Sequence, residues 1–193
     1  MLRNIILCSA LPALGICFVS APAQAAPSDQ EAQKVIKTVL TTIRLGKDDL
    51  AAKQVSFPKM AEAMMQEAWS KASADQRKEI IAGLETLIRK ISFAKGRDMF
   101  KHLDNVTYGK LKTSGGRVIC PTTVVVHREY KKKEVVIDFV LVQDGGAWKI
   151  MDTIMLGEST AEGIYEDQVE PLVDEGGIEA VLAALRKKLK EVN

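Results

Sequence analysis

The hydrophobic period of this 193-residue chain changes twice, and this change constrains the fold more than any other feature. Up to Gly96, apolar residues recur at the 3.6-residue spacing of helices. Between Val106 and Leu156 they alternate with the period of two that is typical of strands, and after Gly157 the helical spacing returns. Helices, then a run of strands, then helices again predict an α+β fold.

Capping signals place the first helices. Ser28 with Glu31, and Ser73 with Gln76, each have the spacing of a capping box, and Pro58 suits the first turn of a helix. The Ser28 helix is expected to end at Gly46. The Ser73 helix is the longest predicted one, and Gly96 lies beyond its apolar positions. Its apolar face comprises Ile80, Ile81, Leu84, Leu87, Ile88 and Ile91.

Four strands are predicted, over residues 106–112, 118–130, 135–143 and 148–156. The connections at 114–116, 131–133 and 145–146 are short enough for antiparallel hairpins. After Gly157 we expect two helical pieces, broken by Pro171 and by Gly176 with Gly177, the last piece covering 178–192. The sequence therefore predicts an antiparallel four-stranded sheet between N-terminal and C-terminal helices.

The first 25 residues have the features of a secretory signal peptide. Arg3 is their only charge, residues 5–19 are apolar, and Ala23 and Ala25 occupy the cleavage-site positions. We expect cleavage after Ala25, a single mature domain over residues 26–193, and an exported protein. Cys120 would then be the only thiol, and its apolar neighbours predict a buried small hydrophobe.

The composition excludes several functional classes. The formal net charge of +2 is lower than expected for a dedicated nucleic-acid binder. With two histidines and three cysteines, the chain has few ligands for a zinc cluster. The chain has no glycine-rich phosphate loop, nucleophile elbow or zinc-protease motif. Asp138 and Asp152 interrupt apolar strands, and a carboxylate in an apolar cavity could serve as a general base. The alternative is that these two side chains face solvent or a cross-strand partner.

Three segments resemble the MlaC-like (toluene-tolerance) family of periplasmic phospholipid-shuttling proteins. Residues 69–77 are similar to its helix junction, and residues 135–139 to its apolar-Asp-Phe strand step. The C-terminal part resembles its last strand and helices through residues 148–152, 157–159, Tyr165, Gln168 and 182–189. The chain departs from the family pattern on both sides of Gly157. The family usually has an acidic residue before this glycine and an apolar one after it, whereas this chain has Leu156 and Glu158.

The resemblance implies a curved antiparallel sheet wrapped by helices, NTF2-like in style, with an apolar cavity between sheet and helices. It implies a non-enzymatic periplasmic carrier, a monomer without a cofactor, that shuttles phospholipid or a similar long-chain lipid between outer and inner membrane. The implied partners are an inner-membrane ABC-type lipid transporter with its substrate-binding lipid-domain subunit, and an outer-membrane lipoprotein complex. The lining residues carried over are Leu84, Ile88, Val124, Val126, Ile137, Phe139, Leu141 and Ile150.

Two other functions fit the same sequence. One is a curved-sheet isomerase or hydratase that uses Asp138 or Asp152 as its base. The other is a docking module that binds no ligand and whose core is filled. Ordinary core packing and a ligand cavity give the same hydrophobic pattern, so periodicity does not separate these three functions.

Overall fold

A computed structural model describes residues 26–128 and 131–192, and the predicted signal peptide lies outside the described residues. The N-terminal helices are α1 (Asp29–Arg44), α2 (Asp48–Ala52), α3 (Phe57–Met65), α4 (Glu67–Lys71), α5 (Ala74–Leu87), a π-helical turn (Ile88–Ser92) and α6 (Phe93–Phe100). The strands are β1 (Leu103–Tyr108), β2 (Lys112–Ser114), β3 (Arg117–Arg128), β4 (Lys131–Asp144), β5 (Ala147–Met155) and β6 (Glu158–Ser159). The chain continues with α7 (Thr160–Ile164), a second π-helical turn (Tyr165–Val169) and α8 (Glu170–Val192).

The predicted helix starts are confirmed. Ser28 caps α1 by accepting from the Glu31 backbone N–H, while the Glu31 carboxylate accepts from the Ser28 N–H at 2.9 Å. Ser73 and Gln76 make the same reciprocal pair at the start of α5. Each pair satisfies two backbone donors that a helix N-terminus leaves free.

The predicted α+β class is confirmed, with six strands in the sheet instead of four. The order is β1-β3-β4-β5-β6, with β2 also on β3, and every ladder is antiparallel. The predicted strand 106–112 divides at Gly109, whose N–H donates to the Pro121 carbonyl at 2.7 Å. Its two halves therefore pair with separate parts of β3. The sixth strand, β6, is a two-residue return that pairs with the end of β5.

The prediction of a hairpin connection at residues 131–133 is wrong. Lys131, Lys132 and Lys133 are paired strand residues of β4, opposite Arg128, His127 and Val126 of β3. Residues 129–130 lie outside the described residues. The β3–β4 ladder therefore includes three residue pairs that involve the predicted connection.

The C-terminal helices break once within α8. The predicted break at Gly176 and Gly177 is confirmed, since both have non-helical backbone angles and Gly177 has φ +66°. The predicted break at Pro171 is wrong, because Pro171 lies in the first turn of α8. Proline is tolerated in the first turn of an α-helix, where its missing N–H costs no intrahelical hydrogen bond, and α8 begins one residue before Pro171.

Two apolar clusters hold these layers together. The first packs one face of the sheet against α1, α2 and α6, and the second joins α3, α4, α5 and α8. Cys120 is fully buried in the first cluster, as predicted, and burial raises the pKa of its thiol. The sheet thus has one face fully packed, which we call the packed face.

Candidate functional site

A cavity of about 920 Å³ lies on the opposite face of the sheet, which we call the cavity face. Alternation along β4 separates the two faces: Phe139 and Leu141 point into the first cluster, whereas Val140 and Val142 line the cavity. The volume is at the upper end of the ~300–1,000 Å³ usual for ligand pockets. The sheet therefore supports a packed core on one side and a ligand-sized space on the other.

The floor of the cavity is apolar. Three strands supply it, and α7 closes one end with a buried alanine. A register shift between β4 and β5 helps to build it, because Val140 pairs with Asp152 and Leu141 with Ile150, which leaves Met151 as an extra residue that also lines the cavity. The floor comprises Ile119, Val140, Val142, Met151, Ile154 and Ala161.

The rim of the cavity is polar and exposed. One wall is the turn between β2 and β3, which ends in Arg117. Another is formed by Lys59 and Glu62 of α3 and by Gln66, the residue after this helix. Glu162 at the start of α7 completes it. An apolar floor below a charged rim is the layout that an amphiphile needs, with its hydrocarbon inside and its polar end at the mouth.

Asp152 is buried at the end of the cavity and holds α7 in place. Its Oδ1 accepts from the backbone N–H groups of Thr153 at 2.8 Å and Ala161 at 3.0 Å, and its Oδ2 accepts from the Ser159 hydroxyl at 2.6 Å. Ser159 in turn caps α7 by accepting from the Glu162 N–H. The carboxylate therefore already has a structural task, joining β5 to the start of α7.

Of the two candidate bases, only Asp152 lines the cavity. Asp138 is half-buried on the same face of β4, opposite Ile154 of β5. The two carboxylates are therefore on one side of the sheet, which the pattern of each strand taken alone does not indicate.

The lining residues predicted from the resemblance lie away from this cavity. The six strand residues are buried in the first cluster, where Ile88 packs against them, and Leu84 packs against the second cluster. Their part in ligand binding stays a prediction. The six strand residues are Val124, Val126, Ile137, Phe139, Leu141 and Ile150.

The signal for the cavity face was present in the sequence. Residues 139–142 of β4 are an uninterrupted apolar run, and such a run indicates a strand that is covered on both faces. Alternation along β4 favoured the odd-numbered residues as cavity lining. It did not identify the even-numbered Val140 and Val142, which line the cavity. Ile119 and Ile154 are the corresponding residues of the neighbouring strands.

A second groove, of about 610 Å³, is lined by charged residues, most of which form ion pairs with one another. Arg89 contacts Asp49 at 2.7 Å and Glu85 at 2.8 Å, and Lys149 contacts Asp144 at 3.0 Å. The hydrogen bond from Lys149 holds the pKa of Asp144 below its usual range. This groove is smaller and more open than the first cavity, so the first cavity is the stronger candidate.

The histidines form a surface contact. The His127 backbone N–H donates to the His102 carbonyl at 2.9 Å, and His127 Nε2 lies 3.2 Å from Asp104 Oδ2. The bonds from His127 and Lys132 hold the pKa of Asp104 below its usual range.

Across residues 26–128 and 131–192, no group of three or more His, Cys, Asp or Glu residues is placed to hold a metal ion. None of the helices in this part of the chain is long and apolar enough to cross a membrane.

A helix-flanked antiparallel sheet with one packed face and one cavity face defines a class of small α+β proteins with an internal amphiphilic cavity. A family model described as "MlaC protein" matches residues 28–187, and the chain belongs to this family. The resemblance found in the sequence is thereby confirmed. No protein with a curated description matches the chain.

Among solved structures, the chain is similar to the phospholipid-binding protein from Ralstonia solanacearum, determined in complex with a phospholipid. The TM-score is 0.70 at 17% identity, over 86% of this chain and 99% of that one. This likeness shows a shared fold. Two more distant matches are a protein with NTF2 in its name (TM-score 0.40, 16% identity, 63% and 93% covered) and a Mycobacterium tuberculosis protein of unknown function (TM-score 0.34, 12% identity, 84% and 89% covered). Neither bears on the function.

Proposed function

We propose that this protein binds a phospholipid or a similar long-chain lipid, with the hydrocarbon on the apolar floor of the cavity and the headgroup at the rim. The observation that carries the proposal is the amphiphilic cavity of about 920 Å³ in a chain of the MlaC family. The structural relative from Ralstonia solanacearum is a phospholipid-binding protein, which supports the same ligand class.

We further propose that the protein carries its lipid through the periplasm between the outer and inner membranes. Two acyl chains of about 16 carbons, at ~0.8 kcal/mol per CH₂, would expose on the order of 25 kcal/mol of apolar surface to water. A free lipid therefore crosses an aqueous space very rarely, and a carrier removes that barrier. The expected donors and acceptors are an outer-membrane lipoprotein complex and an inner-membrane ABC-type lipid transporter with its lipid-domain subunit.

The proposed activity is binding and release by a monomer, without a cofactor and without covalent chemistry. The lipid is cargo. The hydrogen bonds that Asp152 accepts from Ser159, Thr153 and Ala161 favour a structural role for this carboxylate over that of a general base.

The matched pair Val142→Trp and Val136→Trp tests the cavity. Both valines lie on the cavity face of β4, but Val142 lines the floor, whereas Val136 is 58% exposed and outside it. An indole at residue 142 occupies space that an acyl chain would need, so we expect the lipid recovered from the purified Val142→Trp protein to fall several-fold. The Val136→Trp protein should keep its full load.

The packed face provides the competing location. Ile137→Ala opens a void among the predicted lining residues of the first cluster. A full lipid load in folded Val142→Trp, together with an altered load in Ile137→Ala, would place the lipid on the packed face and contradict the site proposed here. The midpoint of thermal unfolding, measured for all three variants, identifies any loss that is due to unfolding.

A further inference from the structure

The charged groups at the cavity rim are not all paired. Lys59 and Glu62 neutralise each other at 2.8 Å, and both oxygens of Asp152 accept hydrogen bonds from neighbouring donors. Among the described residues, no ion pair or side-chain hydrogen bond involves the guanidinium of Arg117 or the carboxylate of Glu162. The rim therefore presents one unpaired cation and one unpaired anion.

Arg117 lies where it can reach a ligand in the mouth. It is exposed at the start of β3 and lines the cavity, two residues before the floor residue Ile119. The preceding Gly115 and Gly116 have φ +55° and +75°, and a Cβ at either would meet open space, so no neighbouring group packs over this turn. A guanidinium binds a phosphate with two parallel N–H donors, which makes Arg117 suited to a phosphodiester.

Glu162 supplies the opposite charge. It is exposed in the first turn of α7, which follows the β5–β6 hairpin, whereas Arg117 belongs to the wall formed by β2 and β3. A carboxylate at this place accepts hydrogen bonds from an ammonium group and repels a second anion. The rim is thus complementary to a headgroup that carries both a phosphate and an ammonium charge.

We propose that the rim selects a zwitterionic phospholipid, with Arg117 donating to its phosphodiester and Glu162 accepting from its ammonium group. This inference rests on the proposed lipid-binding function and adds the headgroup class. A headgroup with a phosphate and no amine satisfies Arg117 and leaves Glu162 facing an anion.

The test is a competition between two lipids. The mature protein is incubated with vesicles of equimolar phosphatidylethanolamine and phosphatidylglycerol with identical acyl chains, re-isolated, and its lipid quantified by mass spectrometry. We expect phosphatidylethanolamine to be enriched by about two- to fivefold, the ratio that one exposed ion pair gives. Glu162→Gln should bring the ratio near one by lowering the phosphatidylethanolamine load, and Arg117→Gln should lower the load of both lipids.

Two exposed residues outside the cavity are matched controls. Glu158→Gln removes a carboxylate from β6, four residues before Glu162, and Lys112→Gln removes a cation from β2. Both should leave ratio and load unchanged. A wild-type ratio near one, or an enrichment that survives Glu162→Gln, overturns the headgroup proposal while lipid binding stands. Recovery of neither lipid with the wild-type protein overturns the proposed function itself.

Discussion

At the scale of single residues, backbone strain is concentrated next to the cavity. Gln66 and Leu156 are the described residues other than glycine with positive φ, at +43° and +56°. Gln66 lines the rim, and Leu156 lies in the turn between Ile154 and Ser159, which both line the cavity. Strained backbone is retained more often at functional sites than elsewhere, so its position agrees with the proposed site.

Leu156 is also completely exposed, and this leads to a prediction about stability. Leu156 and Gly157 form a tight hairpin turn with positive φ at both positions, where Asn-Gly is strongly preferred. We expect Leu156→Asn to raise the free energy of unfolding by about 0.5–1 kcal/mol, because asparagine tolerates this backbone conformation better. Urea denaturation of the two proteins measures the difference.

Leu45 provides the control for this prediction, since it is 59% exposed and has φ −87°. Leu45→Asn removes an exposed leucine from a relaxed backbone and should bring no gain. An equal gain from both substitutions would mean that exposure of leucine, and not strain at residue 156, is the cause.

At the scale of elements, local signals in the sequence predicted most of the helices and strands. Capping boxes fixed the starts of α1 and α5, because a serine side chain and a residue three positions later are enough to satisfy the N-terminal backbone groups. The five-residue helix α2 (Asp48–Ala52) was missed, since its N-cap residue, Lys47, makes no side-chain capping bond. The division of the first strand depends on contact with Pro121, which no local pattern shows.

The contact between α5 and α8 depends on Gly83. A Cβ at this residue would lie 2.7 Å from Cδ2 of Leu185, closer than such atoms approach. Glycine costs roughly 0.5–1 kcal/mol in a helix interior, and the close approach of the two helices offsets that cost. The second apolar cluster, which supports α3 behind the cavity, is packed at this distance.

We therefore expect Gly83→Leu to lower the free energy of unfolding by about 1–3 kcal/mol, the range for overpacked cores. Ala82→Leu places the same side chain one residue earlier on the exposed side of α5 and should change little. Thermal or urea unfolding compares the two. If the two variants were equally stable, α8 would not pack against Gly83 as described.

At the scale of the whole molecule, the sequence was sufficient to predict the α+β class and the family, but it left the ligand-facing side of the sheet open. Val140 and Leu141 are adjacent and both buried, so hydrophobicity does not distinguish the residue that lines the cavity from the one in the core. The difference lies in what covers each face: α1 and α6 close the packed face, whereas α3 and α7 stand at the edge of the other and leave a cavity.

The most direct test of lipid binding is the mass of the protein as purified from the periplasm, with any bound lipid still in place. Residues 26–193, expressed with the leader in a bacterial periplasm and purified without detergent, are measured by native mass spectrometry, and bound material is extracted into organic solvent. We predict extra mass that resolves into phospholipid or another long-chain lipid. A protein of bare polypeptide mass that also takes up no lipid from phospholipid vesicles would contradict the carrier function.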